Sequence, residues 1–191
     1  MVEWSIVALR EAHGVRSIVI ACPPGHVHEL GGHDLGVVEG GATRSQSVAN
    51  ALQAVGTELV AIHDAARPLV TPELVEGVVA TLAADPEADG AIAATPVTDT
   101  IKRVGDRVIE TTVNREVLWA AQTPQAFRTE ALRRALEANS TQVEAATDEA
   151  MLVEAVGGRV LIHSAPPENL KVTTPLDLQL AELLLGERNA P

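Results

Sequence analysis

Short apolar runs alternate with segments of helical periodicity along most of this 191-residue chain. The runs, rich in valine, isoleucine and alanine, cover residues 16–22, 35–38, 58–63, 89–95 and 159–163. Between them, residues such as Val48, Leu52 and Val55 fall on one helical face. Because strands that alternate with helices build parallel sheets with helices on both faces, the pattern predicts a mostly parallel, three-layer α/β fold.

The composition supports the same fold class. Hydrophobic residues make up 46% of the chain but aromatic residues only 2%, so the core must be built from valine, leucine, isoleucine and alanine. Strands that are buried on both faces of a parallel sheet have this composition. The length predicts a single domain over residues 1–191.

Charge and cysteine content narrow the function and the compartment. A net charge of −12 argues against a surface that binds nucleic acid or an anionic membrane. The sole cysteine, Cys22, cannot form an intramolecular disulfide, which fits a reducing cytoplasm. No run approaches the ~18 apolar residues of a membrane helix, and the N-terminus lacks a secretory pattern. We therefore expect a cytoplasmic location.

One segment breaks the alternation of strands and helices. Residues 98–104 and 107–113 form two β-branched, charged runs on either side of Gly105-Asp106, which predicts a hairpin. A lone hairpin is marginally stable in water, so we expect this arm, residues 98–115, to pack on something else. A second subunit is the natural candidate, and packing on its own domain is the alternative.

A carboxylate and an arginine stand at the end of one predicted strand. The apolar run 59–62 is followed by Asp64 and Arg67, and Pro68 ends the regular structure. Ligands of open α/β sheets bind outside the carboxyl ends of the strands. Such charges suit a metal or a phosphate, but a strand-end cap and a surface ion pair explain them equally well. Residue spacing leaves both interpretations open.

Two further segments are weaker candidates. Gly40-Gly41, Arg44 and Ser47 lie between a strand and a helix N-terminus, where backbone N–H groups favour an anionic ligand. The same residue types also simply form turns and caps. His26, His28 and His33 could bind a metal, but their irregular spacing favours a solvated loop.

Several motifs occur together in one order along the chain. They are Gly40-Gly41…Arg44…Ser47, His63-Asp64-Ala65-Ala66-Arg67-Pro68, Asp99-Thr100-Ile101-Lys102, Arg115 with Trp119, Thr123-Pro124-Gln125, Thr147-Asp148-Glu149 and Asn169-Leu170-Lys171-Val172-Thr173. The set resembles the 2-C-methyl-D-erythritol 4-phosphate cytidylyltransferases. The resemblance implies a Rossmann-like nucleotidyltransferase fold, a homodimer with interlocked hairpin arms, and Mg²⁺-assisted cytidylyl transfer from CTP to methylerythritol phosphate with release of pyrophosphate.

The resemblance also implies a role for each matching residue. Gly41, Arg44 and Ser47 would lie against the cytidine. Asp64 and Arg67 would line the centre of the site, where Asp64 is a candidate magnesium ligand. The methylerythritol phosphate would contact Thr123 and Lys171 of one subunit and Thr100, Arg115 and Thr147 largely from the partner's arm region. Arg115 and Lys171 would clamp the attacking phosphate, through a bidentate contact and a point charge respectively.

The chain departs from the family pattern at its start. The family begins with a strand and a glycine-rich loop containing an Arg and a Lys, which cradles the CTP triphosphate, whereas Met1 resembles a position past that loop. We expect the missing strand to be a central one. The 191-residue chain would then be a version of a longer protein with a late start of translation or a trimmed N-terminus, or else an impaired remnant.

Three other functions compete with methylerythritol phosphate cytidylyl transfer. Cytidylyl transfer to another polyol phosphate, such as ribitol 5-phosphate, shares the fold and motifs, although Ala65-Ala66 and Lys102 weakly favour methylerythritol. A catalytically silent dimer that binds a nucleotide is the second. A metal-dependent glycosyltransferase is discounted, because it needs a second acid two residues after Asp64 and position 66 is alanine.

We predict that the 191-residue chain binds CTP poorly and turns over slowly, because the resemblance implies that the triphosphate cradle is missing. A pyrophosphate-release assay of this chain beside a version extended upstream measures the difference. Equal activity of the two would show that the prediction is wrong.

Overall fold

The computed structural model describes residues 1–30, 35–138 and 146–188, with only the backbone of residues 29 and 30. The predicted loop residue His33 lies outside the described residues. The helices are α1 Val2–Glu11, α2 Val27–Leu30, α3 Arg44–Leu52, α4 Pro72–Ala83, α5 Thr129–Ala138, α6 Glu149–Ala155 and α7 Pro175–Arg188. The strands are β1 Ile18–Cys22, β2 Leu35–Glu39, β3 Leu59–Ile62, β4 Gly90–Pro96, β5 Lys102–Gly105, β6 Val108–Thr112, β7 Trp119–Arg128 and β8 Val160–Ser164.

The main sheet has four strands in the order β3-β7-β4-β8. Strand β7 is antiparallel to both β3 and β4, and β4 is parallel to β8, so three strands run in one direction and β7 in the other. The predicted α/β class is confirmed, with a mixed sheet. The sequence did not reveal β7, because Gln122, Pro124 and Gln125 interrupt any apolar run.

Helices cover both faces of this sheet and give it two cores. On one face, α4 buries Leu74, Val78 and Leu82 against β4 and β7. On the other face, Phe127 of β7 packs with Leu132 of α5 and with α6. Phe127 is the only phenylalanine and is fully buried, so aliphatic side chains supply the rest of the core, as the composition predicts.

Strands β1 and β2 pair in parallel as a separate sheet. In the described part of the chain no ladder joins β1 to β3, and a cleft of about 780 Å³ lies between them. Ile18 and Ile20 line one wall, and Leu59 and Ala61 line the other. A five-residue strand fills roughly 800 Å³ at the ordinary rise, strand spacing and sheet spacing. The cleft is therefore as large as one strand.

Side-chain caps fix where the site helices begin. Thr43 accepts a hydrogen bond from the N–H of Gln46 at 3.2 Å, and α3 starts at the next residue, Arg44. Asp148 accepts from the N–H of Met151 at 3.0 Å and caps α6. Because a capping oxygen satisfies a free N–H of the first turn, these caps fix the positions of Arg44 and Glu149.

The predicted hairpin is present as β5 and β6, which pair only with each other among the described strands. Its tight turn lies at Asp106 and Arg107, whose φ angles are 47° and 66°, one residue later than predicted. Val104, Val108 and Ile109 are more than half exposed on the hairpin. The arm thus leaves apolar surface uncovered within one chain.

The sequence predicts a turn and a short strand over residues 166–172 and an inward-facing Leu178 on the last helix, and the structure contradicts the strand and the position of Leu178. Residues 170–172 form no strand, because the structure gives them a single backbone bond, from Val172 N–H to the carbonyl of Ala66 at 2.7 Å, and no ladder. On α7, Ala181 is buried as expected, but Leu178 is 41% exposed instead of facing inward. None of the helices in the described part of the chain is long and apolar enough to cross a membrane.

Candidate active site

The carboxylate of Asp64 is held between two cations. It follows β3, and its Oδ1 accepts a hydrogen bond from Nε of Arg44, the first residue of α3, at 2.9 Å. Its Oδ2 lies 3.0 Å from Nζ of Lys171, which comes from the segment between β8 and α7. Three chain segments distant in sequence therefore meet at one carboxylate. Asp64 is therefore ion-paired, with Arg44 and Lys171 as its partners.

Arg44 is itself shared between two acids. Its Nη1 donates a hydrogen bond to Oε2 of Glu149, which is fully buried at the start of α6. Burial raises the pKa of Glu149, and this effect outweighs the opposing charge of Arg44. Burial alone would also raise the pKa of Asp64, but Arg44 and Lys171 together lower it below its usual range. Asp64 is therefore ionised at neutral pH.

His63 and Thr123 support Asp64 from the sheet side. His63 Nε2 lies 3.1 Å from the carbonyl of Arg67, which can only accept, so we assign the proton to Nε2. Nδ1 then accepts from the hydroxyl of Thr123 at 3.1 Å, and that hydroxyl oxygen accepts from the N–H of Asp64 at 3.0 Å. This chain of bonds fixes the backbone that carries the carboxylate. Burial lowers the pKa of His63 to about 4, so the ring is neutral at pH 7.

The glycine-rich turn packs against α3. A Cβ on Gly41 would come within 2.3 Å of the Cβ of Gln46, so only glycine fits there. The N–H of Gly41 donates to Oγ of Ser47 at 3.0 Å, and that hydroxyl donates to the carbonyl of Thr43 at 2.9 Å. Turn and cap contacts therefore occupy these groups within the chain. The turn ends beside Arg44 and hence beside Asp64.

The chain matches proteins of known identity along nearly its whole length. The model of the family 2-C-methyl-D-erythritol 4-phosphate cytidylyltransferase, IspD, matches residues 1–187. The chain belongs to this family. A relative with the family's name in Symbiobacterium thermophilum is 42% identical over 190 residues, which are 98% of this chain and 75% of that protein. The relative in Syntrophotalea carbinolica is 41% identical over 94% of this chain and 81% of that protein.

Solved structures of the family share the fold. The 2-C-methyl-D-erythritol 4-phosphate cytidylyltransferase of Thermus thermophilus superposes with a TM-score of 0.83 at 37% identity, over 96% of this chain and 88% of that one. The 4-diphosphocytidyl-2C-methyl-D-erythritolsynthase of Anaerococcus prevotii gives a TM-score of 0.86 at 25% identity, over 97% and 88%. The family resemblance predicted from the motifs is thus confirmed.

The structure divides the site residues predicted for a family member into two groups. Gly41, Arg44, Ser47, Asp64, Arg67, Thr123 and Lys171 lie on the segments that meet around Asp64. The residues of the other group, Thr100, Arg115 and Thr147, are exposed. Thr100 and Arg115 belong to the arm, whereas Thr147 stands two residues before Glu149, whose carboxylate pairs with Arg44. Arg115 donates to the carbonyl of Thr98 on the arm. One chain therefore brings together the first group and the segment of Thr147, and it leaves Thr100 and Arg115 on the arm.

Two residues of the first group are almost fully buried, which leaves little surface for contact with a ligand. Thr123 is 3% exposed, and its hydroxyl is already shared by His63 and Asp64. Arg67 is 9% exposed, and its Nη1 donates to the carbonyl of Asn169 at 2.8 Å. Burial lowers the pKa of Arg67, but a guanidinium stays charged. Within the chain, Thr123 and Arg67 therefore support the segments that form the site.

The described residues do not form a resident metal site. No group of three or more His, Cys, Asp or Glu side chains among them could hold a metal ion. Both oxygens of Asp64, the predicted magnesium ligand, are paired with Arg44 and Lys171. Cations at hydrogen-bond distance compete with Mg²⁺ for the same lone pairs, so this donor set does not fit a metal held by the protein.

Sequence reasoning missed Glu149, Asn169 and His63 as site residues, although all three lay within quoted motifs. Each acts through another residue of the site, and a pairing partner distant in sequence leaves no local spacing signal. The one local signal in the sequence was the position of Glu149 directly after the capping residue Asp148 at a helix start.

We predict that His63 makes stability depend on pH. Its pKa is about 4 in the folded chain against an ordinary 6.5, so the unfolded chain takes up the proton first as the pH falls. The His63 contribution is complete above about pH 6.5 and declines towards pH 4, by up to about 3 kcal/mol. Urea unfolding at several pH values measures this slope.

The matched variants are His63→Gln, which cannot take up the proton, and His28→Gln at an exposed position. His63→Gln is expected to lose the His63 contribution to the pH dependence of unfolding, and His28→Gln is expected to keep it. A His63→Gln profile parallel to that of the unmodified chain would contradict the assignment of a buried, neutral ring.

Proposed function

We propose that this chain transfers a cytidylyl group from CTP to 2-C-methyl-D-erythritol 4-phosphate, releasing pyrophosphate, in non-mevalonate isoprenoid precursor biosynthesis. The observation that carries the proposal is the family match over residues 1–187. The pairing of Asp64 with Lys171 supports it, because it places a lysine beside the strand ends where an α/β sheet binds its ligand.

The chemistry is a displacement at phosphorus. A phosphate oxygen of methylerythritol phosphate attacks the α-phosphorus of CTP, a new O–P bond forms, and the bond to the bridging oxygen of pyrophosphate breaks. Catalysis of such a step rests on positioning and on charge neutralisation, so no covalent nucleophile is needed. Lys171 supplies a point charge to the attacking phosphate, and Arg115 supplies a planar fork that suits bidentate contact.

Magnesium enters this proposal with the substrate. Mg²⁺ is usually bound through substrate phosphates and one or two carboxylates, and it keeps several water molecules. We place it on the CTP phosphates, where it offsets their charge, and assign no protein ligand. The residues proposed to lie against the cytidine are Gly41, Arg44 and Ser47, which surround the turn before α3.

The proposal includes a homodimer formed through the hairpin arm. Support comes from the exposed apolar residues Val104, Val108 and Ile109 and from the position of Arg115, which donates to its own arm within the chain. In the dimer, Thr100 and Arg115 would complete the partner's site, whereas Thr147 would serve the site of its own chain beside Glu149. We also propose a cytoplasmic location, because Cys22 is a free, buried thiol.

The test is a pyrophosphate-release assay with CTP and each of two acceptors, methylerythritol 4-phosphate and ribitol 5-phosphate. It uses the 191-residue chain and a version extended upstream. Turnover is expected only when CTP and methylerythritol 4-phosphate are both present. Preference for ribitol 5-phosphate would assign the chain to the other polyol phosphate, and no release from either version would contradict cytidylyl transfer.

We predict that Arg115→Ala raises the KM for methylerythritol 4-phosphate about tenfold or more and leaves CTP binding unchanged, since a bidentate phosphate contact is lost. Steady-state assays that vary each substrate in turn measure this. Arg107→Ala, at the exposed tip of the same arm, is the control and is expected to leave both KM values unchanged. A selective loss of CTP affinity in Arg115→Ala would count against the role.

A further inference from the structure

The segment that carries Lys171 has little secondary structure to hold it. Residues 170–173 lie between β8 and α7 without a strand or helix assignment. A single backbone bond, from Val172 N–H to the carbonyl of Ala66 at 2.7 Å, ties the segment to the loop after β3. Lys171 itself is 44% exposed and reaches Oδ2 of Asp64 through a flexible side chain. Another contact must therefore hold the backbone from which the Lys171 side chain extends.

Asn169, two residues before Lys171, has the contacts to do so. It is 1% exposed, and its side-chain nitrogen donates to Oε1 of Gln122 at 2.8 Å and to the carbonyl of Thr123 at 2.9 Å. Both N–H groups of the amide are therefore used. Its own backbone carbonyl accepts from Nη1 of Arg67 at 2.8 Å. Asn169 thus joins three segments: β7, the loop after β3 and the lysine-bearing segment.

We propose that Asn169 is a positioning residue that sets where Lys171 meets the acceptor phosphate. The proposal rests on the function proposed for Lys171 above. Removing the amide would leave Gln122 and the carbonyl of Thr123 buried without their donor, which favours a shift of the segment because unpaired buried polar groups are costly. A misplacement of about 1 Å far from the reacting atoms can cost roughly 100-fold in rate.

The fold offers an alternative role that the experiment must separate. Asn169 could act in stability alone, in which case its removal would lower the melting temperature and reduce activity towards both substrates through the loss of folded protein. A positioning role instead acts through Lys171 and leaves CTP recognition unchanged. The two roles therefore differ in the KM values and in their coupling to Lys171.

The experiment compares Asn169→Ala, Lys171→Ala and the double variant in the full chain by pyrophosphate release, varying CTP and methylerythritol 4-phosphate separately. Glu168→Ala, the exposed neighbour in the same turn, is the matched control. Asn169→Ala is expected to lower kcat/KM for the acceptor by about 10- to 100-fold with an unchanged KM for CTP. The double variant is expected to be no slower than Lys171→Ala, within about threefold.

Three results would overturn the inference: an unchanged kcat/KM in Asn169→Ala, an equal rise in both KM values, or effects of Asn169 and Lys171 that multiply in the double variant. If Asn169→Ala does not fold, Asn169→Ser, which keeps a short donor, is expected to show the same selective loss. If Lys171→Ala leaves turnover intact, the role proposed for Lys171 is wrong. If Lys171→Ala loses turnover and Asn169→Ala does not, only the inference on Asn169 is wrong.

Discussion

The site depends on one shared carboxylate. Asp64 is mostly buried at the end of β3, and it stays charged because Arg44 and Lys171 each occupy one of its oxygens. A buried charge without such partners is costly and is relieved by a shift in pKa. The pairing has a second consequence, since it keeps two cations in place in a chain of net charge −12. Anionic substrates need such a local cluster to overcome the overall field.

A layer of polar contacts lies beneath the carboxylate and supports the backbone that carries it. His63 and Thr123 hold the backbone of Asp64. Asn169 links β7, the strand of Thr123, to Arg67. The layer is not fully satisfied, since Nε of Arg67 and Oδ1 of Asn169 are buried without a hydrogen-bond partner. Loss of a member would leave further buried polar groups unpaired, which is costly in a low-dielectric interior. The layer joins segments that are far apart in sequence, so it ties the geometry of the site to the whole fold.

The sequence predicts much of this fold for a physical reason. Buried strands such as Gly90–Pro96 leave largely apolar runs, and capped helices such as Pro72–Ala83 leave a Thr-Pro start. Strand β7 left no such signal, because its polar residues are buried by partners that only the tertiary structure supplies. The two-residue hairpin turn was misplaced by one position, since Asp and Arg adopt positive φ there in place of Gly105.

Prediction of the site was limited in the same way. Charges at a strand end pointed to Asp64, and the family motifs pointed to Arg44 and Lys171, but no spacing rule shows that one carboxylate pairs with both. The buried supports Glu149 and Asn169 act through other residues, so their roles became visible only when the segments were brought together.

Calorimetric titration of methylerythritol 4-phosphate tests most directly whether the carboxylate and its lysine form the acceptor site. The unmodified chain, Lys171→Gln and the charge-matched surface control Arg10→Gln are compared at one salt concentration. Lys171→Gln is expected to weaken binding at least about tenfold, because a charge-assisted phosphate contact is lost, whereas Arg10→Gln is expected to leave binding unchanged. Equal affinity of Lys171→Gln and the unmodified chain would contradict the role proposed for Lys171.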